Sequence, residues 1–333
     1  MIDYREIWNS LNQESKSGGP LSQIARKLPS QKGHTIFLAT DFQKGIRLLY
    51  IKLNEDDSIG IEKLPRFRGL EIRPVITTLG KYHNQPFLKF AQSIPNTENI
   101  FEFIISDITD KILKTTARRG LFKSLIGSLN EWKVFFEKQE PNILSLSEQK
   151  GLIGELYFLK DCLFEKYSVR NSIAYWTGAD RTNHDFQIYH SAVEVKTTVR
   201  KQHAKFKIAS EKQLDSTGLE HLYVALYFLN IHSNLPTATL PALVREICTI
   251  LADDPIAAYQ FEVKLAKWGY LAKDSEKYTE GFTLSDLQIF EVKEGFPRML
   301  KGNLPVGVGD LQYTVVASAC KSFKVKKEVF LAV

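Results

Sequence analysis

"NHDFQIYHSAVEVKTTVRKQHAKFKIASEKQL" (Asn183–Leu214) holds the residues on which the fold turns. From Asp185 to Lys196, polar and apolar side chains alternate with the period of a β-hairpin. With the turn at His190–Ser191, Tyr189 faces Ala192, Gln187 faces Glu194 and Asp185 faces Lys196. Asp185, Gln187, Glu194 and Lys196 then share one side. Phe186, Ile188, Val193 and Val195 share the other and would pack as core. A slip of one residue would scatter both sets. The plainer reading is a solvated hairpin face with a cross-strand ion pair of little energetic weight.

Two carboxylates and an ammonium within one small area also make a chemically sensible set. Hard oxygen ligands suit Mg²⁺, with Mn²⁺ as a substitute. Mg²⁺ takes one or two carboxylates, keeps several waters and completes its shell with substrate phosphates. A metal beside a phosphodiester polarises it and lowers the pKa of a bound water. A lysine there can orient or deprotonate that water and offset developing charge. The peptide oxygen of Val195 is a natural further ligand.

Upstream, "SLSEQKGLIGELYFLKDCLFEKY" (Ser145–Tyr167) reads as a helix. Ser145 and Glu148 form a capping box, and Leu152, Leu156, Leu159 and Leu163 make one stripe. Glu155 projects at the edge of that stripe, where a carboxylate is costly unless it is paired or bound to a cation. It either pairs with a nearby base or adds a further carboxylate to the metal set.

An Asp, a Glu nine residues on, then X-Lys, all after a helix bearing Glu, resembles the PD-(D/E)XK nuclease superfamily. "GLIGELYFL", "WTGADRTNHDF", "VEVKTT" and "ASEKQL" (Gly151–Leu214) look closer still to one family within it, found in bacterial restriction and phage-defence loci. The resemblance implies an αβββαβ nuclease core. It implies Asp185 and Glu194 as metal ligands, Lys196 as the catalytic lysine and Glu155 as the core-helix acid. His184 stands where the motif has proline. It could contact phosphate or metal, or be a loop histidine bonded to a neighbour. The flanks resemble the family more loosely. Two other E-X-K triplets, Glu262–Lys264 and Glu291–Lys293, lack this setting.

Lys196, Arg200, Lys201, Lys205, Lys207 and Lys212 follow closely, with only Glu211 opposing them. Beside a phosphodiesterase site such a run reads as a phosphate track, and elsewhere as a solvated face. Ser210 and Gln213 suggest a second capping box opening a helix at Glu211. Gln213 would align that helix or touch phosphate. Tyr175 and Trp176 read as core first and base-stacking residues second. "GVGD" (Gly307–Asp310) lacks the lysine of a phosphate loop and reads as a turn.

The rest of the chain frames this core. The net charge of +6 permits a nucleic-acid partner without requiring one. Three scattered cysteines fit no disulfide framework or zinc pattern. No apolar run is long enough to span a bilayer, and "MIDYREIWNSLNQE" is not a secretory signal, so the expected location is cytoplasmic. Residues 1–28 read as a short amphipathic helix and a polar segment. Residues 33–105, "NIFEFIISDI" (Asn99–Ile108) included, read as mostly antiparallel strands. Leu121, Leu125, Leu129, Trp132 and Phe136 mark a connecting helix. "LYVALYFLNI" (Leu222–Ile231) reads as a strand buried on both faces.

The expected fold class is α/β (α+β). A PD-(D/E)XK core with a mixed sheet flanked by helices takes residues 141–235. A β-rich N-terminal domain with its connecting helix takes 1–140, and a mixed α/β region takes 236–333. The expected function is metal-dependent cleavage of double-stranded DNA, in restriction or anti-phage defence. Two alternatives use the same residues: a silent nucleic-acid-binding or scaffolding subunit, and an RNA-processing nuclease. With no ATPase or methyltransferase motif in the chain, any such activity would come from other subunits. A homodimer is also open.

Overall fold

A computed structural model describes residues 2–16, 23–30, 33–54, 64–65, 69–94, 97–115, 121–137, 143–180, 182–199, 203–233 and 235–332. The chain divides into two compact units, Met1–Pro141 and Asn142–Val333.

The first unit opens with α1 (Tyr4–Lys16), then β1 (Gln23–Lys27), β2 (Ile36–Asp41), β3 (Ile46–Lys52), β4 (Leu70–Leu79) and β5 (Tyr82–Gln92). These strands form one antiparallel sheet in the order β1-β2-β3-β5-β4. Two helices follow, α2 (Glu98–Lys114) and α3 (Leu121–Glu137). Asn99–Ile108, expected to be a strand, therefore lies inside α2. Phe101, Ile104, Ile105, Ile108 and Ile112 are all buried and recur at helical spacing. That periodic face outweighs the β preference of its isoleucines. A strand at Gln23–Lys27 stands where only a polar segment was expected. The buried Arg47 of β3 ties sheet to helices. Its guanidinium donates to Glu102 of α2 at 2.8 Å and to Asn12 of α1 at 2.6 Å, and lies 5.0 Å from the Trp8 ring.

The second unit begins with α4 (Leu146–Phe158), capped by the expected reciprocal box of Ser145 and Glu148. One π-helical turn, Leu159–Leu163, extends it. Then come α5 (Val169–Tyr175), β6 (Phe186–Ile188), β7 (Ser191–Val199), β8 (Lys205–Ile208) and β9 (His221–Ser233). They are followed by α6 (Leu240–Ile250), α7 (Pro255–Trp268), β10 (Glu280–Glu291), β11 (Tyr313–Val316), β12 (Lys324–Val325) and α8 (Lys327–Ala332). The main sheet runs β12-β10-β9-β7-β6. Among the described strands only β7 and β9 pair in parallel, so a crossover must join them. That crossover carries β8, which pairs antiparallel with β11 in a separate two-stranded sheet.

β9 is buried on both faces, as its sequence suggests. Tyr223, Ala225, Tyr227 and Leu229 pack into the helix-side core, and Leu222, Val224, Leu226 and Phe228 into the core under β8 and β11. The helix expected at Glu211 is a four-residue 3-10 turn, Glu211–Leu214. Its Ser210 side chain accepts from Lys212 N–H, while the Gln213 side chain accepts from Ala209 N–H rather than from Ser210 N–H, so the second capping box does not close.

Gly154 lets α4 lie directly on β7. A Cβ there would sit 2.5 Å from Thr197 Cγ2 and 3.2 Å from Val195 Cγ1. Gly154→Val is expected to destabilise the fold by about 1–3 kcal/mol, as overpacked cores do, read as a lower denaturation midpoint at unchanged m-value.

Candidate active site

The hairpin that places the polar set differs from expectation in one respect. β6 and β7 pair Phe186 with Val193, Gln187 with Ala192 and Ile188 with Ser191. The turn is Tyr189–His190, one residue earlier than expected. Tyr189 takes the left-handed conformation (φ +53°) that a tight two-residue turn demands at its first position. Moving the turn by one residue shifts each pairing by two, so no side chain changes face. Phe186, Ile188, Val193 and Val195 all enter the helix-side core, as expected.

β6 is three residues long and begins only at Phe186, and this opens the site. Beyond Val193, β7 has a strand on one side only among the described residues. The carboxylate of Asp185 takes the place of strand pairing: its Oδ2 accepts from Val195 N–H at 2.7 Å. The Asp185 peptide oxygen accepts from the N–H groups of Thr177 (2.8 Å) and Gly178 (2.7 Å). Asp185 is thus held from both ends.

Glu155 comes from α4 and is 4% exposed. Its Oε2 accepts from the indole N–H of Trp176 at 2.6 Å and of Trp268 at 3.1 Å. A Cβ on Gly178 would lie 2.7 Å from that oxygen and 3.0 Å from Asp185 Oδ1, so both carboxyl groups border the space this glycine leaves. Glu194 is 1% exposed. Its Oε1 accepts from Lys196 Nζ at 2.6 Å, and its Oε2 has no partner among the described residues. Lys196 Nζ also donates to Gln213 Oε1 at 3.2 Å, and Gln213 accepts Ala209 N–H at 2.8 Å. Gln213 is therefore a positioning residue for the lysine.

This concentration of buried charge shifts every group. Burial, then the nearby Asp185 charge, pushes Glu194 up from 4.5 to about 8. Burial and Asp185 also hold Glu155 well above the usual carboxylate range, and burial raises Asp185. Burial alone would depress Lys196, but Glu194, Asp185 and Glu155 together hold its ammonium above the ordinary value. Between pH 4.5 and about 8 the folded protein keeps a proton on Glu194 that the unfolded chain has lost. Metal-free stability is therefore expected to fall as pH rises across that window, and Mg²⁺ added at pH 8 to recover it. Melting temperatures at pH 5 and pH 8, each with and without Mg²⁺, test both halves.

His184, next to Asp185 in the chain, is buried, with neither ring nitrogen partnered among the described residues; burial depresses its basicity. Its peptide oxygen accepts from the Thr177 and Thr182 hydroxyls at 3.0 and 2.7 Å. Lys205 and Lys207 alternate with the buried Phe206 and Ile208 on β8 and face outward, and Lys212 is exposed on the 3-10 turn. Glu211, which was expected to oppose these bases, turns inward and accepts Leu311 N–H at 3.0 Å. Arg200 and Lys201 lie outside the described residues.

Trp176 is fully buried and is a core residue, as its sequence suggests. Its role as a donor to Glu155, that of Trp268 from α7, and the space at Gly178 were not read from the sequence. Lys264 of the second E-X-K triplet sits in α7, where it donates to the Trp176 peptide oxygen and to Asp180, apart from the main set.

A model of the family described as "Putative PD-(D/E)XK family member, (DUF4420)" matches residues 4–318. The chain belongs to this PD-(D/E)XK family. No curated protein and no solved structure matches it. The mixed sheet with its flanking helices is consistent with a PD-(D/E)XK fold. Among the described residues no helix is long and apolar enough to cross a membrane.

Nor, among the described residues of this PD-(D/E)XK chain, do three or more His, Cys, Asp or Glu side chains form a ready metal cage. The donor set suits a cation that asks for little from the protein. Mg²⁺ is commonly held by one or two carboxylates, with water and substrate oxygens completing the octahedron. The unpartnered, buried Glu194 Oε2 is the observation that fits such a cation.

Proposed function

We propose that the protein is a divalent-metal-dependent endonuclease that hydrolyses DNA phosphodiester bonds in prokaryotic restriction or anti-phage defence. The arrangement of Glu155, Asp185 and Glu194 around Lys196 carries this reading. Two buried carboxyl groups and a half-buried third beside one lysine are costly for a purely structural role, and among the described residues Glu194 Oε2 has no partner that would offset its burial. The defence setting rests on the family resemblance.

Asp185 and Glu194 would hold Mg²⁺ or Mn²⁺, with the Val195 peptide oxygen and Glu155 in support. Bound there, the cation would polarise the phosphodiester and acidify a water. Glu194 and Gln213 occupy two of the three donor positions of the Lys196 ammonium. The third is left to orient the attacking water or a phosphate oxygen. With its pKa held up, Lys196 acts as a cation that offsets charge on the pentacovalent phosphorus, not as a base. Water adds to phosphorus and releases its proton to solvent, the opposite P–O bond breaks and the departing oxygen takes a proton from solvent. The Trp176 and Trp268 indoles fix Glu155, and through the space at Gly178 they fix its approach to Asp185. Lys205, Lys207 and Lys212, with Arg200 and Lys201, would receive the backbone phosphates.

The test is conversion of supercoiled plasmid to nicked or linear DNA by purified protein with Mg²⁺ or Mn²⁺. EDTA is the control, and a duplex RNA is assayed in parallel. Metal-dependent DNA cleavage supports the reading. Cleavage of RNA alone reassigns the substrate. DNA binding without cleavage under any metal points instead to a silent subunit.

A further inference from the structure

One end of the sheet in the first unit gathers positive charge around a single ring. Lys27 ends β1, Lys52 ends β3, and Lys81 occupies the turn just before Tyr82, the first residue of β5. Their ammonium groups lie 5.5, 5.3 and 5.9 Å from the centre of the Tyr82 ring. Lys27 Nζ and the Thr35 hydroxyl both donate to the Tyr82 hydroxyl, at 3.3 and 3.4 Å. Tyr82 is also the end of a run of edge-on aromatic contacts through Phe37 and Phe87 to Tyr50, spaced 6.0, 6.0 and 6.2 Å. A fourth lysine, Lys89, lies 6.0 Å from the Tyr50 ring.

Among the described residues, no carboxylate forms an ion pair with Lys27, Lys52 or Lys81. The arginines nearby differ. Arg26 next door pairs with Glu14, and Arg73 with Glu71. The ring faces attract the cations, but three ammoniums sharing one ring repel each other and nothing described neutralises them. Such a set is completed by an anion from outside. Lys27 and Lys81 are exposed and Lys52 is half-buried, so an external anion can reach them.

We infer that Lys27, Lys52 and Lys81, gathered on Tyr82, form a phosphate-binding site that takes the sugar–phosphate backbone of a nucleic-acid duplex. It rests on the nuclease reading for the class of ligand, but uses no residue of the candidate active site. The lysines carry the charge, and Tyr82 holds them in place without competing for phosphate. The contact is made to backbone and carries no sequence information.

The experiment uses the full chain in EDTA, so that binding is measured without cleavage. Duplex DNA affinity is followed against salt for wild type and for the triple variant Lys27→Gln, Lys52→Gln, Lys81→Gln. Each lost phosphate contact lowers the log–log salt slope by about 0.9, so the triple variant is expected to lose about 2–3 from its slope. In parallel, lysine acetylation is mapped by mass spectrometry on wild-type protein with and without duplex. Protection of Lys27, Lys52 and Lys81 is expected. An unchanged slope, or these three lysines staying reactive while Lys205 and Lys207 become protected, overturns the site and leaves the nuclease reading standing. No duplex binding at any salt overturns both. The acetylation map covers the case in which the triple variant fails to fold.

Discussion

Glu194→Gln is expected to abolish cleavage while making the metal-free protein more stable at pH 8. The loss of activity follows from removing the negative charge of a side chain whose second oxygen is buried without a partner among the described residues. A loss of about 10³-fold or more in kcat is the scale on which a single electrostatic contribution of this kind acts. The gain in stability follows from the same burial. Glu194, pushed up to about 8, costs the folded state wherever the unfolded chain has already ionised. Glutamine imitates the protonated form without that cost. The gain is about 2–4 kcal/mol near pH 8 and vanishes toward pH 4.5, below which both states are protonated. Lys196→Met also abolishes cleavage, but in the other thermodynamic direction. It leaves Glu194 and Asp185 without their cation and is expected to destabilise at pH 8 by about 2–4 kcal/mol. Plasmid cleavage and denaturant unfolding on both variants give the comparison. Two inactive variants with stability changes of the same sign would contradict the electrostatic account.

The second large effect is expected from a residue with no chemistry of its own. Gly178→Ala puts a methyl 2.7 Å from Glu155 Oε2 and 3.0 Å from Asp185 Oδ1. Neither carboxylate retreats easily. Glu155 is held by two indoles, and Asp185 by the Val195 N–H at its side chain and two N–H groups at its peptide oxygen. Something must shift, and a displacement of this size in a preorganised site costs about 10²-fold in rate. The stability cost is smaller, about 1–3 kcal/mol. Gly127→Ala is the control. A Cβ there meets nothing within 4 Å, and in the middle of α3 it is expected to be neutral or slightly stabilising. Full activity in Gly178→Ala would mean that Glu155 and Asp185 need not keep their present spacing.

Much of this was legible in local sequence, because the relevant signals are periodic. The two faces of the β6–β7 hairpin, the cap of α4, the edge position of Glu155 and the doubly buried β9 each follow from spacings of two to four residues. The misread segments are those where two local signals compete. Asn99–Ile108 has strand-forming residues at helical spacing, and the spacing prevails. At Glu211 a short polar segment is long enough to cap but too short to propagate an α-helix. The remaining features are long-range. Trp268 reaches Glu155 from α7, the Tyr313–Val316 strand pairs with Lys205–Ile208, and the space at Gly178 has meaning only once α4 lies against the hairpin. None of these leaves a trace within a window of a few residues.

The three-residue β6 has a bearing on solubility as well as on chemistry. Where β6 stops, β7 presents backbone groups that could template pairing with another molecule, the usual liability of an exposed edge. Asp185 occupies the Val195 N–H there, and the half-buried Lys196, bonded to Glu194, puts charge beside it. A charged edge resists recruitment of a foreign strand. Substitutions that silence the site by removing charge would therefore also weaken this protection. Inactive variants with several neutralised site residues are expected to self-associate more readily than the active protein, although each retains its fold.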